Sequence, residues 1–230
     1  MQPYHNDPVI KEKYLNRVMA HQKADEIIKG IYWQNGKGCA VGCTIHDSDH
    51  GKYESELGIP RWLAKVEDRV FEGLPNVRAK EWPKEFLEAI NIGSDLNKIK
   101  IPFLIFIVES VVNKFDHKQY PKAKIKIEKT LEYLRTGDFT KPAAADAAAA
   151  ADAAYAAAAA DAADAAAYAA AAAAAAYAAA ADAAYAYDAY AAAAADAAAA
   201  AAAYAADDAS RKKAYIKFAD KLLELIRDCK

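Results

Sequence analysis

Residues 143–209 contain only three amino-acid types, 51 Ala, 9 Asp and 7 Tyr. Alanine has the highest intrinsic helix propensity and the tract has no Gly or Pro, so helix is nearly obligatory. One rod of that length would run roughly 100 Å at 1.5 Å per residue. At 100° per residue, Tyr155, Tyr168, Tyr177, Tyr185, Tyr187, Tyr190 and Tyr204 scatter around the whole circumference. A rod would leave those rings in water with no seam to bury. Several shorter helices remove that cost, and Asp161 or Asp164, and Asp182 or Asp188, are N-cap residues that start them without glycine. The tract is therefore expected to fold back as a stack, with alanine faces in close approach and tyrosines filling the gaps. Its Asp spacing is too irregular for an ice-binding face, and nine charges are sparse for a DNA mimic. It reads as scaffold.

The flanking sequence is patterned for helices as well. Asp7 and Pro8 suit the N-cap and first position of a helix carrying Ile10, Tyr14, Leu15, Val18, Met19, Ile27, Ile28 and Ile31 on one side. A second helix is expected from about Cys39 to Leu57. A third carries Leu63, Val66, Val70 and Phe71 and is capped at Gly73. Pro83 opens a short helix through Ile90, residues 102–115 read as a buried helix, and Ala123 to Leu134 is helical again. Thr140 and Pro142 cap the alanine tract, and a last helix spans about Arg211 to Asp228. No run of alternating strands stands out. The fold class is all-α: a multi-helix globular domain over 1–141, an Ala/Asp/Tyr helical stack over 142–209, and a C-terminal helix over 210–230 that docks on the core.

Charge and composition exclude several classes. With 30 basic and 32 acidic residues the net charge is −2, and bulk nucleic-acid binding would need a basic excess. No membrane partner is expected, because no stretch reaches the ~18 apolar residues of a span. No basic n-region precedes an apolar run at the start, and three cysteines do not make a secreted disulfide framework. A soluble, cytoplasmic protein is expected.

Chemistry concentrates at 33–50. Four of the chain's eight Cys and His residues, Cys39, Cys43, His46 and His50, fall within twelve positions. Their C-x3-C-x2-H-x3-H spacing places them on one face of a continuous helix. Thiolate and imidazole are metal ligands in type, but four ligands along three turns span about 16 Å. One ion reaches only a pair such as His46 and His50, with Glu67 or Asp68 from the next helix as third ligand. Glu54 is placed to orient His50. The packing alternative is that Cys39, Ala40, Gly42 and Cys43 are simply small enough for close helix contact. A third reading starts from Asn35-Gly36-Lys37-Gly38, a turn leading into a helix N-terminus, where free N–H groups and the dipole attract anions. Lys37 adds charge, and Cys39 at that terminus is expected to have a lowered pKa.

The run Gly-Cys-Ala-Val-Gly-Cys-Thr-Ile-His at 38–46, followed by His50, Tyr53-Glu54 and Leu57-Gly58-Ile59-Pro60, resembles a family of uncharacterised bacterial and phage proteins with a GCxxGCTxHxxxHxxYExxLGIP segment. The likeness extends to the alanine-rich second half and the final helix. It implies a natural fold and a phage or accessory-genome setting in which small proteins antagonise host defence, and it implies no mechanism.

The leading expectation is a helical binding protein that sequesters a small phosphorylated or nucleotide-like molecule, with an anti-defence role. Trp33, Lys37, Gly38, Cys39, Cys43, His46, His50 and Tyr53 are the expected ligand contacts. No cofactor is expected on that reading, and homo-oligomer assembly stays open. The alternatives are a zinc-dependent hydrolase with metal on His46, His50 and Glu67, and a protein-binding scaffold presenting the Ala/Tyr helices.

Overall fold

The computed structural model describes residues 1–112, 128, 131–132, 134–136 and 208–230. These residues are mostly helical, and their only sheet is a pair of two-residue strands, which makes the fold all-α. The alanine tract up to residue 207, the Thr140–Pro142 cap and most of the 123–134 helix lie outside the described residues. The chain divides into two compact units, 1–100 with 219–230, and 101–218.

The first unit begins with Tyr4, His5 and Asn6 in consecutive left-handed conformations, φ 54°, 51° and 61°. Each costs roughly 1–2 kcal/mol for a residue with a Cβ. Complete burial of Tyr4, whose hydroxyl donates to Leu87 O at 2.7 Å, offsets part of this. Helix α1 (Pro8–Lys23) then starts as expected, with Asp7 Oδ1 accepting from Val9 N at 2.8 Å and Pro8 in the first turn. It is shorter than its apolar pattern suggested. Asp25 turns left-handed at φ 57°, and Ile27 leaves the helix to bridge Gly38.

Strands β1 (Trp33–Gln34) and β2 (Lys37–Gly38) form a hairpin where only a turn is expected from sequence. Asn35 and Gly36 both have positive φ, 52° and 80°. That is the pairing a tight two-residue hairpin requires and Asn-Gly supplies. The chain enters α2 (Ala40–Ile45) directly afterwards.

The expected single helix from 39 to 57 is two helices, α2 and α3 (Lys52–Leu57). His46 closes α2 in a left-handed conformation, and side chains of the next loop hold its backbone. Asp47 Oδ1 accepts from Asp49 N and Asp49 Oδ1 from Gly51 N, at 2.9 and 2.8 Å. Short acidic side chains that bond the backbone two residues on compete with helix continuation.

Helix α4 (Arg61–Gly73) agrees with expectation, except that Gly73 is its last helical residue and Leu74 is the cap. Helix α5 (Asn76–Ala89) starts after Pro75 and carries Pro83 inside rather than at its start. The proline ring gives no N–H to the turn before it, and the ring is buried in the core. In this unit α1 packs on α2 and α5, and α2 on α3, α4 and α5. Trp82, Phe86, Leu63 and Phe71 fill the centre. The chain end belongs here too. Leu222, Leu223 and Ile226 are buried, Asn91 Nδ2 donates to Arg227 O at 3.2 Å, and Cys229 Sγ to Asp95 O at 3.1 Å.

In the second unit the apolar run is helical, as α6 (Lys100–Val112), with Phe103, Leu104 and Ile107 buried. Leu131 and Leu134 are buried helical residues, and Glu109 pairs with Arg135 at 2.6 Å. Helix α7 (Asp208–Asp228) contributes Tyr215 and Phe218, the latter edge-on to Phe106. Among the described residues no helix is long and apolar enough to cross a membrane.

The tightest constraint is backbone against backbone. A Cβ on Gly42 would stand 1.6 Å from Tyr32 O, and one on Gly38 2.2 Å from the same oxygen. Gly42→Ala is therefore expected to lower unfolding free energy by about 3 kcal/mol or more, at the upper end of overpacking costs. Val77→Ala, at a side chain 78% exposed, should change it by less than about 0.5 kcal/mol. Urea denaturation of both variants checks the contrast, and equal midpoints would contradict the packing.

Candidate functional site

Four of the expected ligand contacts fall in two clusters, Trp33 with His46 and Tyr53 with His50 nearby. The first holds Trp33 and His46. Because Gly42 admits the hairpin backbone, Trp33 lies along the C-terminal end of α2. Its ring stacks on His46 with centroids 4.5 Å apart and planes 11° from parallel. His21, in the last turn of α1, meets both rings edge-on, at 5.5 Å from Trp33 and 5.0 Å from His46.

His21 Nε2 lies 2.7 Å from His46 Nε2, and His21 Nδ1 lies 2.7 Å from Glu26 Oε2. In the neutral pair, a carboxylate at Glu26 takes the N–H of His21 Nδ1, so His21 Nε2 accepts and His46 Nε2 donates. Nδ1 of His46 then carries the lone pair, on a residue exposed to solvent. Arg17 Nη1 donates to Thr44 O at 2.9 Å, one of the carbonyls that the end of α2 leaves unpaired. Partial desolvation, then the Arg17 charge and the adjoining His21 ring, hold the His46 imidazole below its ordinary pKa of 6.5.

His21, Glu26 and Arg17 were not singled out from sequence. His21 had a legible signal, since it follows Tyr14 and Val18 at steps of four and three and shares their buried face. Glu26 had none. It lies past the end of α1, and the pairing of its carbonyl with Gly38 N at 3.1 Å is a tertiary contact.

The second cluster has a buried pair, Tyr53 and Glu67, with half-buried His50 and Asp68 beside it. Tyr53 OH donates to Glu67 Oε2 at 2.5 Å, and Glu67 is fully enclosed on the inner face of α4. Burial pushes the Glu67 carboxyl well above its ordinary value. Its Oε1 has no hydrogen-bond partner among the described residues, and an orphan oxygen costs less on a neutral acid than on a carboxylate. His50 Nε2 lies 3.7 Å from Asp68 Oδ2, with the Tyr32 ring edge-on to the imidazole at 5.3 Å.

His46, His50 and Glu67 are thus not brought into one donor set. His46 faces His21, His50 faces Asp68, and Glu67 is bonded to Tyr53. The cause is the end of α2 at Ile45, which removes the helical turn that would align positions 46 and 50. Among the described residues no group of three His, Cys, Asp or Glu side chains is arranged to hold a metal. Glu54 does not orient His50 either, because its Oε1 accepts from Arg61 N at 3.0 Å at the start of α4.

The anion cradle also differs from expectation. Gly38, Cys39 and Ala40 are buried, and Gly42 N donates to Cys39 Sγ at 3.5 Å, so the start of α2 caps itself. Burial and the Asp68 charge push the Cys39 thiol up, opposite to the lowering expected from the helix dipole. Cys43 donates to Gly38 O at 3.3 Å, and burial pushes its thiol up to about 12. Lys37 is exposed but pairs opposite Gln34, on the other face of the hairpin from Trp33. The small residues of the Cys/His segment serve close packing, while His46 and Trp33 reach the surface.

Compared with known proteins, the chain matches no family model, no curated protein and no solved structure.

The buried acid yields a pH test. A carboxyl whose folded pKa is raised contributes its full stability below its ordinary value of 4.5, and that contribution is lost as pH rises toward the raised value. Glu67→Gln keeps an oxygen for the Tyr53 hydroxyl and has no proton to lose. The variant should match the wild type near pH 5 and be the more stable protein at pH 8. Urea midpoints across that range decide it, and parallel curves would show that Glu67 is not held neutral.

Proposed function

We propose that this protein binds a small phosphorylated or nucleotide-like molecule where Trp33 and His46 stack. The observation that supports the reading most is the Glu26–His21–His46 chain ending in an exposed imidazole beside an aromatic face. Trp33 is half-buried, whereas Trp62 and Trp82 are buried in the core, so Trp33 is the indole available to a base. The Arg17 guanidinium is close enough to depress His46, and so adds positive potential for a phosphate. An arriving anion favours protonation of His46 Nδ1, and the bonds through His21 to Glu26 stabilise the resulting cation. Sequestration of such a molecule fits the anti-defence setting that the sequence resemblance implies.

The zinc-hydrolase alternative keeps His46 and loses His50 as its partner. The scaffold alternative depends on residues outside the described ones.

Adenosine monophosphate, titrated while tryptophan emission is followed, tests the proposal. Saturable quenching is expected, tighter at pH 6 than at pH 8 because binding takes up a proton on an imidazole held low. Loss of a charge-assisted hydrogen bond in His46→Ala should weaken binding by about 10- to 100-fold, and Trp33→Leu should abolish the signal. Lys37→Ala should leave affinity unchanged. No saturable change, or equal affinity in His46→Ala, would refute the assignment.

A further inference from the structure

We propose that His21 and His46 form an exchangeable site for a borderline divalent transition metal such as Zn2+ or Cu2+. Both donors are Nε2 atoms, they approach to 2.7 Å, and they come from different elements, the last turn of α1 and the cap of α2. Two imidazoles on a tetrahedral ion with bonds of about 2.0–2.1 Å stand about 3.3 Å apart. The pair therefore has to open by about 0.6 Å, with the rings turning so that both lone pairs leave the N···N line and meet at the metal.

The two rings are suited to different parts of that movement. Glu26 holds His21 from behind through Nδ1, the carboxylate–histidine arrangement that fixes the tautomer of metal ligands and raises their basicity. His21 already presents its Nε2 lone pair. His46 donates from Nε2 in the free protein, so coordination requires that proton to pass to its own Nδ1. That atom has no protein partner among the described residues, and the shift loses no proton overall. His46 sits at the left-handed end of a six-residue helix and leads into the 47–51 loop, so its ring can yield. Its exposure leaves the other coordination positions to water.

Imidazole donors select zinc, copper and nickel over calcium and magnesium. The neighbouring thiols do not join the set, because Cys43 Sγ donates to backbone carbonyls and stays protonated. Two protein ligands make the ion exchangeable rather than a permanent cofactor. The site differs from the His46/His50/Glu67 arrangement in its partner, its geometry and its supporting carboxylate, and it does not require the nucleotide reading to hold.

The full chain, stripped with chelator, is titrated with zinc chloride alone by calorimetry, and Co2+ is followed by its visible absorption. One equivalent with a micromolar dissociation constant is expected. His46→Ala, at an exposed residue, and His21→Ala should each weaken uptake more than tenfold. Glu26→Gln should weaken it about 10- to 100-fold, the usual effect of removing such a carboxylate, and His50→Ala should leave it unchanged. The absence of saturable uptake, or uptake that survives in His46→Ala or disappears in His50→Ala, would overturn the proposal. Only metal is titrated, so either result leaves the adenylate measurement to be judged separately.

Discussion

The carbonyl oxygen of Tyr32 organises the N-terminal unit. It fits against Gly38 and Gly42, where any side chain would collide with it, and Cys39 N donates to it at 3.2 Å while also bonding Ile31 O at 2.8 Å. This contact pins the hairpin to α2. Gly42 and His46 are four residues apart on one helical face, so the same docking that seats the Tyr32 backbone on Gly42 lays Trp33 over His46. Gly38 also pairs with Glu26 and Ile28 on both sides of its own backbone, which fixes the acid behind His21. One backbone approach therefore aligns a carboxylate, two imidazoles and an indole contributed by three separate segments.

The polar groups around α2 divide by solvent access. On the inner side, Tyr53, Glu67 and Cys39 are closed off from water and hold their protons, which makes them hydrogen-bonding structure rather than reactive chemistry. On the outer side, His46 reaches water while its far nitrogen stays linked to Glu26 through His21. Among the described residues around α2, this side combines an accessible imidazole with a hydrogen-bonded route for a proton.

How much of this was legible in sequence depends on whether local or tertiary forces decided each element. Asp7 and Pro8 located the start of α1 because a cap is a local hydrogen bond. Leu63, Val66, Val70 and Phe71 located the inner face of α4 because the period belongs to one helix. The 39–57 segment misled, since its Cys/His spacing is helical while the Asp47-Ser48-Asp49 loop breaks the helix through side-chain bonds. Asn35-Gly36 is a readable hairpin signal, but the two-residue strands it joins carry no alternation of their own. The structure brings together Trp33 and His46, two of the residues expected to contact a ligand. Their partners His21 and Glu26 are not among those residues, because the hairpin docking that assembles them is a long-range backbone contact with no periodicity.

His46 occupies a backbone position, φ 56° and ψ 39°, that glycine or asparagine adopts at lower cost at the end of a helix. A chain under selection for thermal persistence alone would tend to replace it, since relief of a left-handed non-glycine residue gains about 1 kcal/mol or more. In a library sorted only by resistance to heat, His46 should drift early toward glycine, while Gly42 beneath it stays fixed by its neighbour's carbonyl. In a library sorted by what the protein binds, the imidazole should persist despite its strain. Enrichment at this one codon would therefore separate pressure to fold from pressure to act.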